Sequence, residues 1–369
     1  MNSQKPIIKV GVVAGEQSGD RLGAQIISGI KNTHKVELFG VGGPKIINQG
    51  LNPIFNFEKL HVMGLIEPLL NYRQLKNLQR ELINLFLKEE IDYFLGIDSP
   101  DFNIGIHKAL KSIGKSKNIQ VVSPSVWGWR EGRIKHIKNY IDLTMCLFNF
   151  EDSFYKKKGL PSIHLGHPFS DLYASSREKV IQKYSLDSQK QFVAILPGSR
   201  KSEIRDLLPT YIDFIKIHSK ENENFEYLIP ASDQKILELI TSYIPSSLPI
   251  RVETKSAKDF LSISKFSIVT SGTATLESAI LGVFPIICYK TNPINYFIIS
   301  RMLKVDNVGL PNLLLGRRKF PELIQRNCNP ISINVASKAI EDMRSVSAQL
   351  RKLLIGKTEE DCINAILKL

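Results

Sequence analysis

The chain reads as an α/β protein of two Rossmann-like, doubly wound domains facing a cleft, and three observations predict this. Its 369 residues exceed one ordinary core and fit two domains of about 150–200 residues each. Short apolar runs rich in β-branched residues alternate with helical segments along the whole sequence, the pattern of parallel sheets covered on both faces. The alternation pauses once, after Gly166-His167-Pro168, where a polar helical stretch (173–186) leads to Asp187-Ser188-Gln189-Lys190, and it restarts at Phe192. The boundary falls there, giving domains 1–186 and 187–369.

Taken in order, Ile7–Ala14 reads as a central strand, followed by a turn and a helix to about Ile30. Strands follow at 36–40, 91–97, 119–123 and 143–148, with helices from Tyr72, over 103–116 and over 132–140. In the second half, strands are expected at 192–196, 225–229, 250–253, 266–270 and 284–288, and closing helices over 336–354 and 358–369. Two glycine-rich stretches fall short of nucleotide fingerprints. Gly40-Val41-Gly42-Gly43 has Lys45 where a third glycine would stand, and the stretch 15–23 contains no Gly-Lys-Ser/Thr, so neither NAD nor ATP is indicated and no cofactor is expected.

Hydrophobic content of 43% and charged content of 23% are ordinary for a globular chain and supply apolar material for two cores. The net charge of +13 points to nucleic acid, an anionic membrane surface or anionic small substrates. Lys156-Lys157-Lys158 and Arg317-Arg318-Lys319 are the only basic clusters, and neither a basic stripe nor a nucleic-acid module is evident, so no nucleic-acid partner is expected. The four cysteines (Cys146, Cys288, Cys328, Cys362) are far apart, which argues against a disulfide framework or a metal centre and fits a reducing cytosol. Residues 1–9 carry no signal-peptide core, and no run reaches the roughly 18 apolar residues of a membrane span, so the reading is soluble or peripheral. Val62, Met63, Leu65, Ile66 and Leu69 form an apolar cluster beside a helix carrying Arg73, Lys76 and Arg80. Core packing is its default reading, and contact with anionic lipid is the alternative.

The chemistry gathers at strand ends, where ligands bind in such sheets. Ser271-Gly272-Thr273 ends one strand and opens a helix, aiming backbone N–H groups and a helix dipole at one spot, a seat for phosphate. Glu277, one turn on, is placed to accept hydrogen bonds from a ribose diol. Pro197-Gly198-Ser199-Arg200 offers further N–H groups and an arginine for a diphosphate, and Pro311-Asn312 an amide in a Gly-rich loop. In the first half, Asp98 at a strand end is the candidate general base, with Asp101 as its competitor if it does not merely cap a helix. Glu16 and Ser18, in the turn that includes Gly19, either orient an acceptor or cap the helix. Trp127 and Trp129 suit a sugar face or interdomain packing, and His167 suits a turn. No Asp-x-Asp motif occurs to bridge a metal and a diphosphate.

Together these motifs resemble the lipid-A-disaccharide synthase family: 14–20, Val62-Met63-Gly64, 96–103, 123–129, Gly166-His167-Pro168, 196–200, 271–277, and 310–314 through Gly316-Arg317, in the family's order and at similar spacings. The resemblance implies a GT-B glycosyltransferase, inverting and metal-independent. It would transfer 2,3-diacylglucosamine from UDP-2,3-diacylglucosamine to the 6-hydroxyl of 2,3-diacylglucosamine 1-phosphate (lipid X), giving a β-1,6 disaccharide and UDP. It implies roles in activity for Asp98, Arg200 and Asn312, and substrate contacts from Glu16, Ser18, Gly19, Ser199, Ser271, Gly272, Thr273, Glu277 and Trp127. It further implies work as monomer or homodimer on the cytoplasmic face of the inner membrane, with the 62–70 region as membrane contact. The rival readings are a UDP-N-acetylglucosamine 2-epimerase of the same fold and a non-catalytic binding protein driven by charge.

Overall fold

A computed structural model describes residues 5–60, 72–114, 116–124, 126, 131–291 and 307–369. The chain forms two compact units, one made of residues 1–167 together with 355–369, the other of 168–354. This division differs from the one expected at 186/187: the polar helix Arg177–Tyr184 belongs to the second unit and the last fifteen residues to the first. The reason for the return is packing. The C-terminal helix Glu359–Leu367 buries Cys362, Ile363 and Ile366 in the core that holds Ile27 and Ile30 of the first helix, Gln17–Lys31. Gly29 makes room for it, since a Cβ there would come within 2.7 Å of Ile363 Cγ1.

The first unit is a parallel sheet of β1 (Ile7–Ala14), β2 (Lys35–Val41), β3 (Tyr93–Ile97), β4 (Lys117–Val121), β5 (Leu143–Cys146) and β6 (Ser162–His164), in spatial order β2-β1-β3-β4-β5-β6. Val10, Val12, Val13 and Ala14 of β1 are fully buried, as a strand paired on both sides and covered on both faces requires. The second unit holds β7 (Gln191–Leu196), β8 (Phe225–Ala231), β9 (Ile250–Thr254), β10 (Ser264–Thr270), β11 (Phe284–Tyr289) and β12 (Glu322–Ile324), in order β12-β11-β10-β7-β8-β9. That is the 3-2-1-4-5-6 order of dinucleotide-binding folds, while the first sheet begins with the 2-1-3-4-5 order of the other common doubly wound class, so both expected domains are Rossmann-like.

In each sheet the order reverses direction at one place, between β1 and β3 in the first and between β7 and β10 in the second. The crevice outside the carboxyl ends of such strands is where ligands bind. Those ends lead into the 15–20 turn and Asp98 in one unit, and into 197–200 and 271–274 in the other.

Three expectations change in detail. The helix expected over 336–354 is two helices, Pro330–Ala336 and Arg344–Leu354. Pro311-Asn312 lies in a short helix, Leu310–Leu315, entered at Gly309 with proline in its first turn, rather than in a loop. The three-residue strands β6 and β12 carry no period long enough to read from sequence. Among the described residues no helix is long and apolar enough to cross a membrane.

Candidate active site

In the first unit, β1 turns at Gly15 into the helix Gln17–Lys31, leaving Glu16 and Ser18 exposed at its N-terminus. Gly19 faces inward: a Cβ there would sit 3.2 Å from Ile97 Cγ2, and one at Gly23 would sit 2.5 Å from Ile97 Cδ1. Both glycines let the helix close on β3, so Gly19, expected among substrate contacts, serves packing through its missing side chain. Asp20, also buried, accepts from the backbone N–H of Lys45 and Ile46, each at 2.9 Å. The glycine run before Lys45 is therefore the bed of this carboxylate, and a Cβ on Gly43 would lie 2.7 Å from Asp20 Oδ2.

Asp98 follows β3 directly. It and Ser99 both take left-handed backbone, with φ 53° and 39°, in a region that non-glycine residues rarely enter. Two consecutive residues there persist only where surroundings enforce them, and such strain gathers at functional sites. The enforcing groups are visible. Asp98 N–H donates to Val121 O at 2.8 Å, while its carbonyl accepts from Asn103 Nδ2 at 2.8 Å and Gln120 Nε2 at 3.0 Å. Gln120 Oε1 lies 3.1 Å from Nε2 of buried His107, whose own pKa is pushed down to about 4 by burial. That imidazole is neutral and donates to the amide. Gly96 admits both partners, since a Cβ there would come 2.9 Å from His107 Nε2 and 3.1 Å from Asn103 Cβ.

The Asp98 carboxyl is half-buried, and burial raises its pKa above the ordinary value, a shift that the Ser99 N–H opposes. Asp101, by contrast, is an exposed first-turn residue of the helix Pro100–Ile113 and is ion-paired with Arg133. Of the two carboxylates, Asp98 is the one held at the strand end by a dedicated frame. A cavity of about 670 Å³ lined by Pro6, Ile8, Phe86, Ile91 and Tyr93 opens at the amino ends of β1 and β3, the opposite edge of the sheet, and takes no part in this site.

In the second unit the two expected phosphate seats differ. Ser199 N and Arg200 N already donate to Glu203 Oε2, at 3.1 and 3.2 Å, a carboxylate folding back over its own helix start in the helix Lys201–Glu221. Gly198, at φ 106°, permits this, because a Cβ would meet Glu203 Oε2 at 2.4 Å. The Arg200 guanidinium stays exposed, 3.5 Å from Glu203 Oε1. The other seat is open. Gly272, Thr273 and Ala274 begin the helix Thr273–Ile280, and their N–H groups have no acceptor among the described residues. Glu277 is half-buried without a hydrogen bond or ion pair among the described residues, and burial raises its pKa. A carboxylate left so short of donors suits a diol.

Asn312 is fully buried, and its amide is spent within the fold. Nδ2 donates to Phe320 O at 2.9 Å and Glu322 Oε1 at 2.8 Å, while Oδ1 accepts from Lys319 N at 2.9 Å and Phe320 N at 2.8 Å. All four hydrogen-bonding capacities of an amide are thereby used. The expectation that this amide addresses a donor sugar or phosphate is corrected: Asn312 holds the backbone of its loop.

Each unit thus brings together its own set: Glu16, Ser18 and Asp98 around the β1/β3 reversal, and Ser199, Arg200, Ser271, Gly272, Thr273 and Glu277 around the β7/β10 reversal. Trp127 and the apolar residues Val62, Met63, Leu65, Ile66 and Leu69 lie outside the described residues. Among the described residues no group of three or more His, Cys, Asp or Glu is arranged to hold a metal. Sequence reasoning passed over Glu203, Gln120, Glu322 and Tyr289. The spacing of Glu203 after the helix start was a readable capping signal. Tyr289, which ends β11 within electrostatic reach of Glu203 and Arg200, stood at a strand end like the residues singled out. Gln120 and Glu322 act only through tertiary partners.

Comparison with known sequences agrees on one family. The profile described as lipid-A-disaccharide synthetase matches residues 10–363. The lipid-A-disaccharide synthase of Acinetobacter baylyi is 35% identical over 98% of this chain and 97% of its own length. Among solved structures, a glycotransferase of kitacinnamycin aligns with a TM-score of 0.61 at 12% identity over 99% of both chains. A putative UDP-N-acetylglucosamine 2-epimerase from Listeria monocytogenes gives 0.61 at 10% identity, over 99% of this chain and 95% of that one. At such identities the structural likeness speaks to fold alone.

Proposed function

Because the chain belongs to the lipid-A-disaccharide synthetase family, glycosyltransferases of lipid A biosynthesis, we propose that it joins UDP-2,3-diacylglucosamine to 2,3-diacylglucosamine 1-phosphate (lipid X) by one inverting displacement. The acceptor is bound and activated on the first unit, and the UDP group on the second. The observation that carries this reading is the pairing of a framed, half-buried carboxylate at one strand-order reversal with an open row of helix N–H groups at the other.

The 6-hydroxyl oxygen of the acceptor attacks C1 of the donor sugar while its proton passes to Asp98. The bond from C1 to the UDP oxygen breaks on the opposite side, so an α-linked donor gives a β-linked product, and no covalent enzyme intermediate forms. The charge that develops on the departing diphosphate meets the N–H groups of Gly272, Thr273 and Ala274 and the Arg200 guanidinium. A helix terminus contributes about 0.3–1 kcal/mol when exposed and up to about 2 when partly buried. Ser199 N and Arg200 N join only when Glu203 swings aside. Glu277 takes the ribose diol, and Glu16 and Ser18 orient the acceptor. No metal is required in this scheme. The surplus of 13 positive charges supports an anionic lipid surface as the place of work, in this reading the cytoplasmic face of the inner membrane with the enzyme bound peripherally.

The test is UDP release by purified protein from UDP-2,3-diacylglucosamine, with and without lipid X, in EDTA, using neutral-detergent micelles and anionic vesicles at low and high salt. Release that depends on lipid X, survives EDTA and is faster on vesicles at low salt is expected. Turnover of unacylated UDP-N-acetylglucosamine alone would move the protein to the epimerase class. Equal rates on micelles and vesicles would remove the membrane part.

A further inference from the structure

We infer that Glu322 is a positioning residue for the donor seat, an inference that rests on the proposal that the second unit binds UDP. Glu322 opens β12 and is 4% exposed. Its carboxylate accepts three hydrogen bonds from one short stretch: Val308 N to Oε2 at 3.0 Å, Gly309 N to Oε1 at 3.0 Å, and Asn312 Nδ2 to Oε1 at 2.8 Å. Gly309 permits the approach, since a Cβ there would lie 2.4 Å from Ile287 Cδ1 and 3.1 Å from Glu322 Oε1. The stretch so held reaches the seat directly, for Ser271 Oγ donates to Val308 O at 3.0 Å. Ser271 N is meanwhile tied to Cys288 O at 2.8 Å.

A chain of contacts therefore runs from a buried carboxylate to the residue that immediately precedes the open N–H row. A buried charge is tolerated where donors surround it, and removal of one acceptor leaves those donors without partners. Glutamine in place of Glu322 turns an N–H₂ group toward Val308 N–H, or toward Gly309 N–H and the Asn312 amide. In either orientation donor faces donor, the 308–309 backbone moves, and Ser271 loses its fixed acceptor. Asn312 belongs to the same device and would serve it without any contact to the sugar.

UDP affinity, donor KM and acceptor KM, measured on the full chain for wild type, Glu322→Asp and Glu322→Gln below their melting temperatures, decide the matter. The expected result is UDP binding weakened about tenfold or more in Glu322→Gln and less in Glu322→Asp. Donor KM should rise in parallel and acceptor KM stay within about twofold. Wild-type UDP affinity in a folded Glu322→Gln, or in Glu322→Asp should the glutamine variant fail to fold, overturns the inference and leaves the donor reading standing. So does an equal loss on the donor and acceptor sides, the mark of a merely structural residue. Absence of UDP binding by the wild type removes the donor reading and this inference with it.

Discussion

Asp98 holds a carboxyl where ionisation is disfavoured, on a backbone turn that two side-chain amides clamp in a rarely used conformation. Both features have consequences that can be measured. Burial lifts the folded-state pKa above the ordinary carboxylate value, so the proposed base is lost by protonation at a higher pH than a surface aspartate would be. The acid limb of kcat/KM against pH is expected to fall about tenfold per pH unit, with its midpoint above that of an ordinary aspartate. The sign for stability is opposite. A raised carboxyl pKa favours the folded state below the unfolded value, and this contribution is lost as pH rises through the folded value. Asp98→Asn is therefore expected to melt higher than wild type near neutral pH, with the gap closing in acid. A lower melting temperature at neutral pH would contradict the assigned shift. The place of this residue was legible, because a carboxylate after a buried strand in a parallel sheet stands where ligands bind. Its clamp was not, because Gln120 and His107 lie on another strand and helix, and only the tertiary structure brings them under Asp98.

Elements were read well where their period was long. The strand Ile7–Ala14 has the bounds expected of it, and the helices beginning at Tyr72 and Thr273 start where their patterns start. What an amphipathic pattern does not state is which partner its apolar face meets. The C-terminal helix was legible as a helix, yet its burial against Gly29, Ile27 and Ile30 assigns it to the first unit, more than three hundred residues away in sequence. Ile366 is fully buried there. Its truncation in Ile366→Ala is expected to destabilise the first unit by about 2–5 kcal/mol, the range for such a change in a packed core. Hydrogen exchange should then speed up in Gln17–Lys31 and β1, with β7 and β10 unchanged. Faster exchange confined to the second unit would contradict the assignment. Asn312 shows the complementary lesson. Its motif was recognisable, while its use depended on Glu322 and Phe320, which a linear reading gives no reason to pair with it.

At the scale of the molecule, the proposed reaction needs a base for one substrate and an anion seat for the other, and two domains of one architecture are proposed to divide these tasks. The twin organisation was legible because the alternation of strand and helix pauses and restarts. The 167/168 crossing and the return at 354/355 were not, because only packing sets them. The two strand-order reversals locate the candidate residues without appeal to any single motif. In the proposed reaction Asp98 takes the acceptor's proton in the transfer step. The most direct test is single-turnover transfer by Asp98→Asn at saturating donor and acceptor, beside its affinity for UDP. A rate about 10²–10⁴-fold below wild type, with UDP affinity within about twofold, is the predicted result. Transfer at the wild-type rate would contradict it.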